Sequence, residues 1–189
     1  MINNYILESA KVVNSLRNQA TKIKKISSLI FNCSKKNKVL VAGNGGSSAD
    51  ADHFVGELIC TYSKRNRKPI SAISLTQPVS AMTAWSNDFD YNSFIQRQVE
   101  ANGKKGDILF LLSTGGGSLK DKTSINLINA AYEAKKRKMK IISLIGKSGG
   151  FLKKFSDEYV LIKSQKTSFI QEAHMVILHL ICEILEKKL

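Results

Sequence analysis

His53 and Glu57 stand four residues apart in "AGNGGSSADADHFVGEL", residues 42–58, one helical turn beyond a run of three glycines, two serines and an asparagine. In a helix this spacing leaves the two side chains ~40° apart, on one face. An imidazole and a carboxylate so placed can share a proton or a metal ion, although the same spacing is also that of an ordinary exposed pair on a helix surface. The last stretch, "SFIQEAHMVILHLICEILEKKL", adds Gln171, His174 and His179 within an apolar stripe of Ile170, Ala173, Ile177, Leu180, Ile181 and Ile184. His174 and His179 lie ~140° apart around such a helix and so face different sites; Gln171 and His179 lie ~80° apart, a gap that a long glutamine can bridge. A histidine on an apolar helix is either a satisfied core residue or a functional one, and spacing leaves both readings open.

Two glycine-rich turns accompany these residues, "GNGGSS" after "VLVA" and "STGGGS" after "DILFLL". Glycines let backbone approach an anion, hydroxyls donate hydrogen bonds, and a helix N-terminus presents unpaired N–H groups. Each turn is expected to lead into a helix; on the plainer reading, the glycines only tighten the turns and Ser47 and Ser118 are N-caps. Phosphate is the natural guest of two such loops. Neither loop carries the dinucleotide fingerprint or a Walker lysine, so no nucleotide or organic cofactor is expected.

The elements that must position these groups follow from hydrophobic pattern. "VLVAG", "ISAISL", "DILFLLS", "KIISLIG" and "EYVLIK" are apolar throughout rather than alternating, as strands buried on both faces are. They alternate with helical stretches, which predicts a three-layer α/β fold with a parallel sheet. Tyr5 to Cys33 repeats apolar positions at threes and fours, with one gap of seven, and reads as a long amphipathic helix. Only Pro69 and Pro78, flanking the second strand, punctuate the chain, and one domain is expected.

Composition bounds the partners. No apolar run approaches the ~20 residues needed to span a bilayer, and the N-terminal residues lack the order of a secretion signal, so a cytoplasmic protein without membrane contact is expected. Cys33, Cys60 and Cys182 have no metal-type spacing and lie in apolar helical patterns, as reduced core cysteines do. The net charge of +14 is spread over several lysine-rich segments without interleaved aromatics, which reads as a solvated surface and not a nucleic-acid site.

"GNGGSSADADHFVGEL", "SNDF" at 86–89, "RQVEA" at 97–101, "STGGGS" and "IQEAHMVILH" occur in the order found in phosphoheptose isomerases, the sedoheptulose 7-phosphate isomerases of the sugar-isomerase (SIS) superfamily. The chain resembles that family over essentially its whole length. The resemblance implies a five-stranded parallel SIS domain of flavodoxin-like order over residues 1–189, with 1–36 a helical extension used in oligomer contacts. It implies a homotetramer with active sites at subunit interfaces, acting on a phosphorylated seven-carbon sugar. The implied reaction interconverts sedoheptulose 7-phosphate and D-glycero-D-manno-heptose 7-phosphate through a cis-enediol, the first step toward nucleotide-activated heptose for bacterial surface polysaccharide.

Matched by position, Asn44, Gly45, Gly46, Ser47, Asn87, Asp88 and Gln171 would contact substrate, while Ser113, Thr114, Gly115 and Ser118 would hold the phosphate. Glu57 and His179 would be the acid–base pair. His53, Glu57, Gln171 and His179 match positions that bind zinc in members where a metal has been found, which makes one zinc ion per subunit a candidate cofactor. Gly115 and Gly117 stand where the family commonly has a serine and an asparagine, Cys60 and Thr61 replace a glycine and an arginine, and Ser168 replaces an aspartate. These departures bear on substrate preference more than on reaction type. The competing reading is a non-catalytic SIS protein that partners the bacterial replication initiator; such relatives typically lack the helix glutamate that Glu57 supplies.

Overall fold

The structure, a computed structural model, describes residues 1–77 and 79–189; Pro78 lies outside the described residues. The apolar runs form β1 (Val39–Gly43), β2 (Ala72–Ser74), β3 (Ile108–Ser113), β4 (Lys140–Gly146) and β5 (Glu158–Ile162). All neighbours pair in parallel in the order β2-β1-β3-β4-β5. This is the expected flavodoxin-like sheet.

Continuous apolarity has the expected cause. In β1, Val39 and Val41 enter one hydrophobic cluster and Leu40 and Ala42 the other; in β3, Ile108, Phe110 and Leu112 oppose Leu109 and Leu111. The first cluster is completed by α2 (Ala20–Cys33), α3 (Gly46–Ile59) and α8 (Thr167–Glu186). The second face is covered by α4 (Val79–Asp88), α5 (Tyr91–Asn102), α6 (Ile125–Lys136) and α7 (Gly150–Phe155). Helices thus close both faces, so the central strands β1 and β3 are buried throughout, whereas the edge strand β2 is half-buried.

The long N-terminal helix is present but not uniform. Helix α1 (Ile2–Ser15) passes into α2 through a tighter 3₁₀ turn at Leu16–Gln19. Helix α2 buries Ile23, Ile26, Ile30 and Cys33, whereas α1 has no buried residue. The gap in the apolar stripe falls within α1, which meets the rest of the chain through Tyr5, Ser9 and Val12: the Tyr5 hydroxyl donates to Glu172 at 2.7 Å, its ring meets Phe169 edge-on, the Ser9 hydroxyl donates to the same carboxylate, and Val12 packs on the core.

Among the described residues α8 is the one helix long and apolar enough to cross a bilayer by length and composition. Its apolar side instead packs on α2, α3 and the sheet through Ile170, Ala173, Ile177, Leu178 and Ile181. Cys33 and Cys182 are buried, and burial pushes their thiols up to about 11 and about 12. Cys60 differs from the expected core cysteine: it is exposed, because α3 ends at Ile59 and the apolar pattern runs one residue past the helix.

Candidate active site

Open parallel sheets offer a crevice where connections from adjacent strands leave in opposite directions. Here the chain leaves β1 for α3 on one face and β3 for α6 on the other, so the crevice lies between Asn44 and Thr114.

On the α3 side, Gly45 is the N-cap with φ 55° and ψ −123°, a conformation that side chains disfavour. The helix then presents Gly46, Asp50, His53 and Glu57 along one stripe toward α8. His53 Nε2 lies 3.3 Å from Glu57 Oε1 and 3.2 Å from His179 Nε2. One imidazole nitrogen of the His53–His179 pair therefore donates while the other accepts. Glu57 is 21% and His53 44% exposed, so the cluster opens to solvent. The Tyr62 ring packs on His179 with centroids 5.6 Å apart. Its phenol is pushed up by burial first, then by Glu183, Cys182, Glu57 and Glu186. One turn before His53, a carboxylate oxygen of Asp50 is buried without a hydrogen-bond partner; burial pushes this acid up to about 6 against the opposing pull of His53.

Gln171 makes none of these hydrogen bonds. Its amide stands against Gly46, where a Cβ would come within 2.3 Å of Nε2. Helices α3 and α8 run side by side in one direction, with Gln171 opposite Gly46 and His179 opposite His53. Eight residues of helix rise ~12 Å, so Gln171 and His179 share a face but not a height. His174 is fully buried in the core, neither ring nitrogen has a hydrogen-bond partner, and burial takes its pKa down to about 3.

On the β3 side, the Ser113 hydroxyl accepts the Gly116 amide at 2.9 Å. Ser118 is not the cap of a helix. It pairs with Thr123 in a small antiparallel bridge, and its hydroxyl donates to Asp121 Oδ2 at 2.8 Å while accepting the Asp121 amide. Helix α6 starts only at Ile125, after Ser124 at φ 51°, because Lys120 to Thr123 complete the hairpin first. The two sides meet through Asn44. Its side-chain amide exchanges hydrogen bonds with buried Asn126 at 3.0 and 2.7 Å, and its oxygen also accepts the Tyr91 hydroxyl at 2.9 Å. One Asn44 N–H is left for a ligand. Asn87, near the end of α4, donates to Asp88 at 2.8 Å and lies just before Tyr91 in the chain.

The SIS domain pattern matches residues 4–146. The phosphoheptose isomerase of Helicobacter pylori is 42% identical over 159 residues, covering 84% of this chain and 79% of that protein. That of Leptospira biflexa is 40% identical over 195 residues, covering 97% and 95%. A solved phosphoheptose isomerase from Francisella tularensis superposes with TM-score 0.90 at 32% identity, covering 98% of this chain and 96% of that one. The chain belongs to the phosphoheptose isomerase family of SIS-domain proteins.

Sequence motifs of the isomerase family thus lead to His53, Glu57 and His179, which the fold brings into contact. They do not disclose Tyr62, Tyr91 or Asn126, which hold or contact these groups; an asparagine set among Ile125, Leu127 and Ile128 after the second glycine turn is the local signal for Asn126, which the structure buries. A tetrahedral zinc with bonds of ~2.0–2.1 Å has ligand–ligand edges of ~3.3 Å, and the two contacts of His53 have that length. The donor types fit zinc as well. Among the described residues, however, no three His, Cys, Asp or Glu side chains are preassembled around one metal position.

Proposed function

We propose that this chain interconverts sedoheptulose 7-phosphate and D-glycero-D-manno-heptose 7-phosphate through a cis-enediol. The observation that carries the reading is a carboxylate and an imidazole gathered around His53 beside an anion-type turn, within a chain of the isomerase family. Starting from the ketose, Glu57 removes a proton from C1 and His179 supplies one to the carbonyl oxygen at C2; returning a proton to C2 and taking one from the C1 hydroxyl gives the aldose. Glu57 and His179 are separated by no more than the two His53 contacts together, which spans adjacent carbons. The free Asn44 N–H and the Asn87–Asp88 pair orient sugar hydroxyls. The phosphate is gripped by Ser113, Thr114 and the Gly115 amide, with the Ser118 hydroxyl available once it exchanges its Asp121 partner.

Zinc, where bound, would be held by His53, Glu57 and His179 and would supply a Lewis acid for the sugar carbonyl. The protein acts in the cytoplasm as a single SIS domain and assembles as a homotetramer, with residues 1–36 at the contacts. The oligomer reading is supported by α1, which carries exposed Ile2, Ile6 and Leu7, and by an open apolar groove of about 520 Å³ between α1, α2 and α8. Glu57 in place beside His53 and His179 favours the enzyme over a non-catalytic binding protein.

The decisive experiment follows sedoheptulose 7-phosphate in deuterium oxide by proton NMR, with metal analysis of the same sample purified without chelator. Aldose product with solvent deuterium on carbon is expected; neither product nor exchange from folded protein would reject the isomerase. Absence of metal together with no gain on adding zinc would reject the zinc assignment. A second expectation concerns Gly115, where a Cβ would meet no heavy atom within 4 Å. Gly115→Ser is expected to leave stability within ~0.5 kcal/mol and to lower KM severalfold by adding a hydroxyl toward the phosphate. An unchanged or raised KM, beside an unchanged melting curve, would place the phosphate elsewhere.

A further inference from the structure

We propose that Arg67 and Glu186 are positioning residues: their buried ion pair ties the last turn of α3 to the last turn of α8 and thereby sets how Glu57 and His179 face one another. The kinetic part of this inference rests on the isomerase reading.

Arg67 Nε lies 3.0 Å from Glu186 Oε1, and the two side chains are 2% and 7% exposed. A buried ion pair is by itself weak support for stability, since desolvation offsets much of the attraction. What this pair touches is more informative. The Arg67 guanidinium donates to the carbonyls of Glu57, Leu58 and Lys68. The first two belong to the last turn of α3, where carbonyls have no intrahelical partner, so Arg67 caps the turn that carries Glu57.

Glu186 accepts the amides of Tyr62, Ser63 and Lys64 at 3.0–3.2 Å and the Ser63 hydroxyl at 2.7 Å. These bonds hold the loop that lays the Tyr62 ring on His179. Burial pushes the Glu186 carboxyl up, but the Ser63 hydroxyl, the Tyr62 and Ser63 amides and Arg67 outweigh it and hold it at about 2. One charged pair therefore reaches the backbone of Glu57 on one side and, through Tyr62, the ring of His179 on the other. Lysine at position 67 would keep the charge but could not fork to several carbonyls and Glu186 at once.

The test uses full-length Arg67→Lys labelled with [13Cε1]histidine, in which the three histidines of the chain give three ring signals. The His53 and His179 signals are expected to shift while that of core His174 stays. With sedoheptulose 7-phosphate, kcat is expected to fall ~10- to 100-fold with KM within ~3-fold, as displacement of positioned groups does. Ser63→Ala, which removes one donor to Glu186 at an exposed position, should give the same pattern at ~2- to 5-fold and serves if Arg67→Lys does not fold. Unmoved His53 and His179 signals with unchanged kcat in a folded variant would overturn the proposal, as would a loss of rate that merely follows the unfolded fraction. Wild-type protein without turnover would reject the isomerase reading alone, because the ring signals still report on the ion pair.

Discussion

Replacing Glu57 with glutamine is expected to lower turnover of sedoheptulose 7-phosphate by about 10²- to 10⁴-fold, the usual contribution of a general base. Glutamine keeps the shape of the side chain but cannot take a proton from carbon. The substitution should leave the fold intact, because the Glu57 side chain is partly exposed and its helix is anchored by Ala51, Phe54, Val55 and Leu58 on the sheet face. With the phosphate held by the β3 turn, as proposed, KM should change only a few-fold. Rates and deuterium incorporation measured on one sample, with its metal content, separate two roles for the residue. Lost exchange with metal retained identifies Glu57 as the base, whereas activity and metal lost together identify it as a ligand. Full turnover by the variant would refute both.

The second large effect is expected at Gly116. Its φ is 73°, and a Cβ there would stand 1.9 Å from the carbonyl oxygen of Gly149. Both partners are backbone, so no flexible side chain can move aside. The carbonyls of Gly116 and Gly117 also accept the amides of Leu152 and Phe151 at 2.9 and 2.8 Å, so the second glycine turn caps α7. Left-handed backbone costs alanine ~1–2 kcal/mol and overpacking ~1–3 kcal/mol, so Gly116→Ala is expected to lose ~2–5 kcal/mol. Denaturant unfolding should report this loss, and, with the phosphate held as proposed, KM should rise because the Gly115 amide shifts with it. A variant that unfolds at the wild-type midpoint would show that the two segments are not in contact.

The contrast between Gly115 and Gly116 shows how far a sequence can be read. Both lie in "STGGGS", and both look like residues that admit an anion. Only the packing of Gly149 against the loop distinguishes a position with open space from one with none. Ser118 makes the same point: hydroxyl after glycine is a capping signal locally, but pairing with Thr123 and Asp121 turns it into a hairpin and delays the helix to Ile125. Arg67 and Glu186, 119 residues apart, carry no local signal at all.

What the sequence determined by itself is what depends on near neighbours. Strands announced themselves because burial on both faces requires unbroken apolar runs, and the turns after β1 and β3 did so because tight reversals call for glycine. The His53–Glu57 face follows from helical period alone. Tertiary structure decided everything that needed the heights and order of elements. Sheet order puts α3 and α8 on the same face and in the same direction, which brings His179 to His53 across 126 residues yet leaves Gln171 at Gly46. Angle around a helix is encoded in spacing, but which turn of one helix meets which turn of another is set by packing on the sheet.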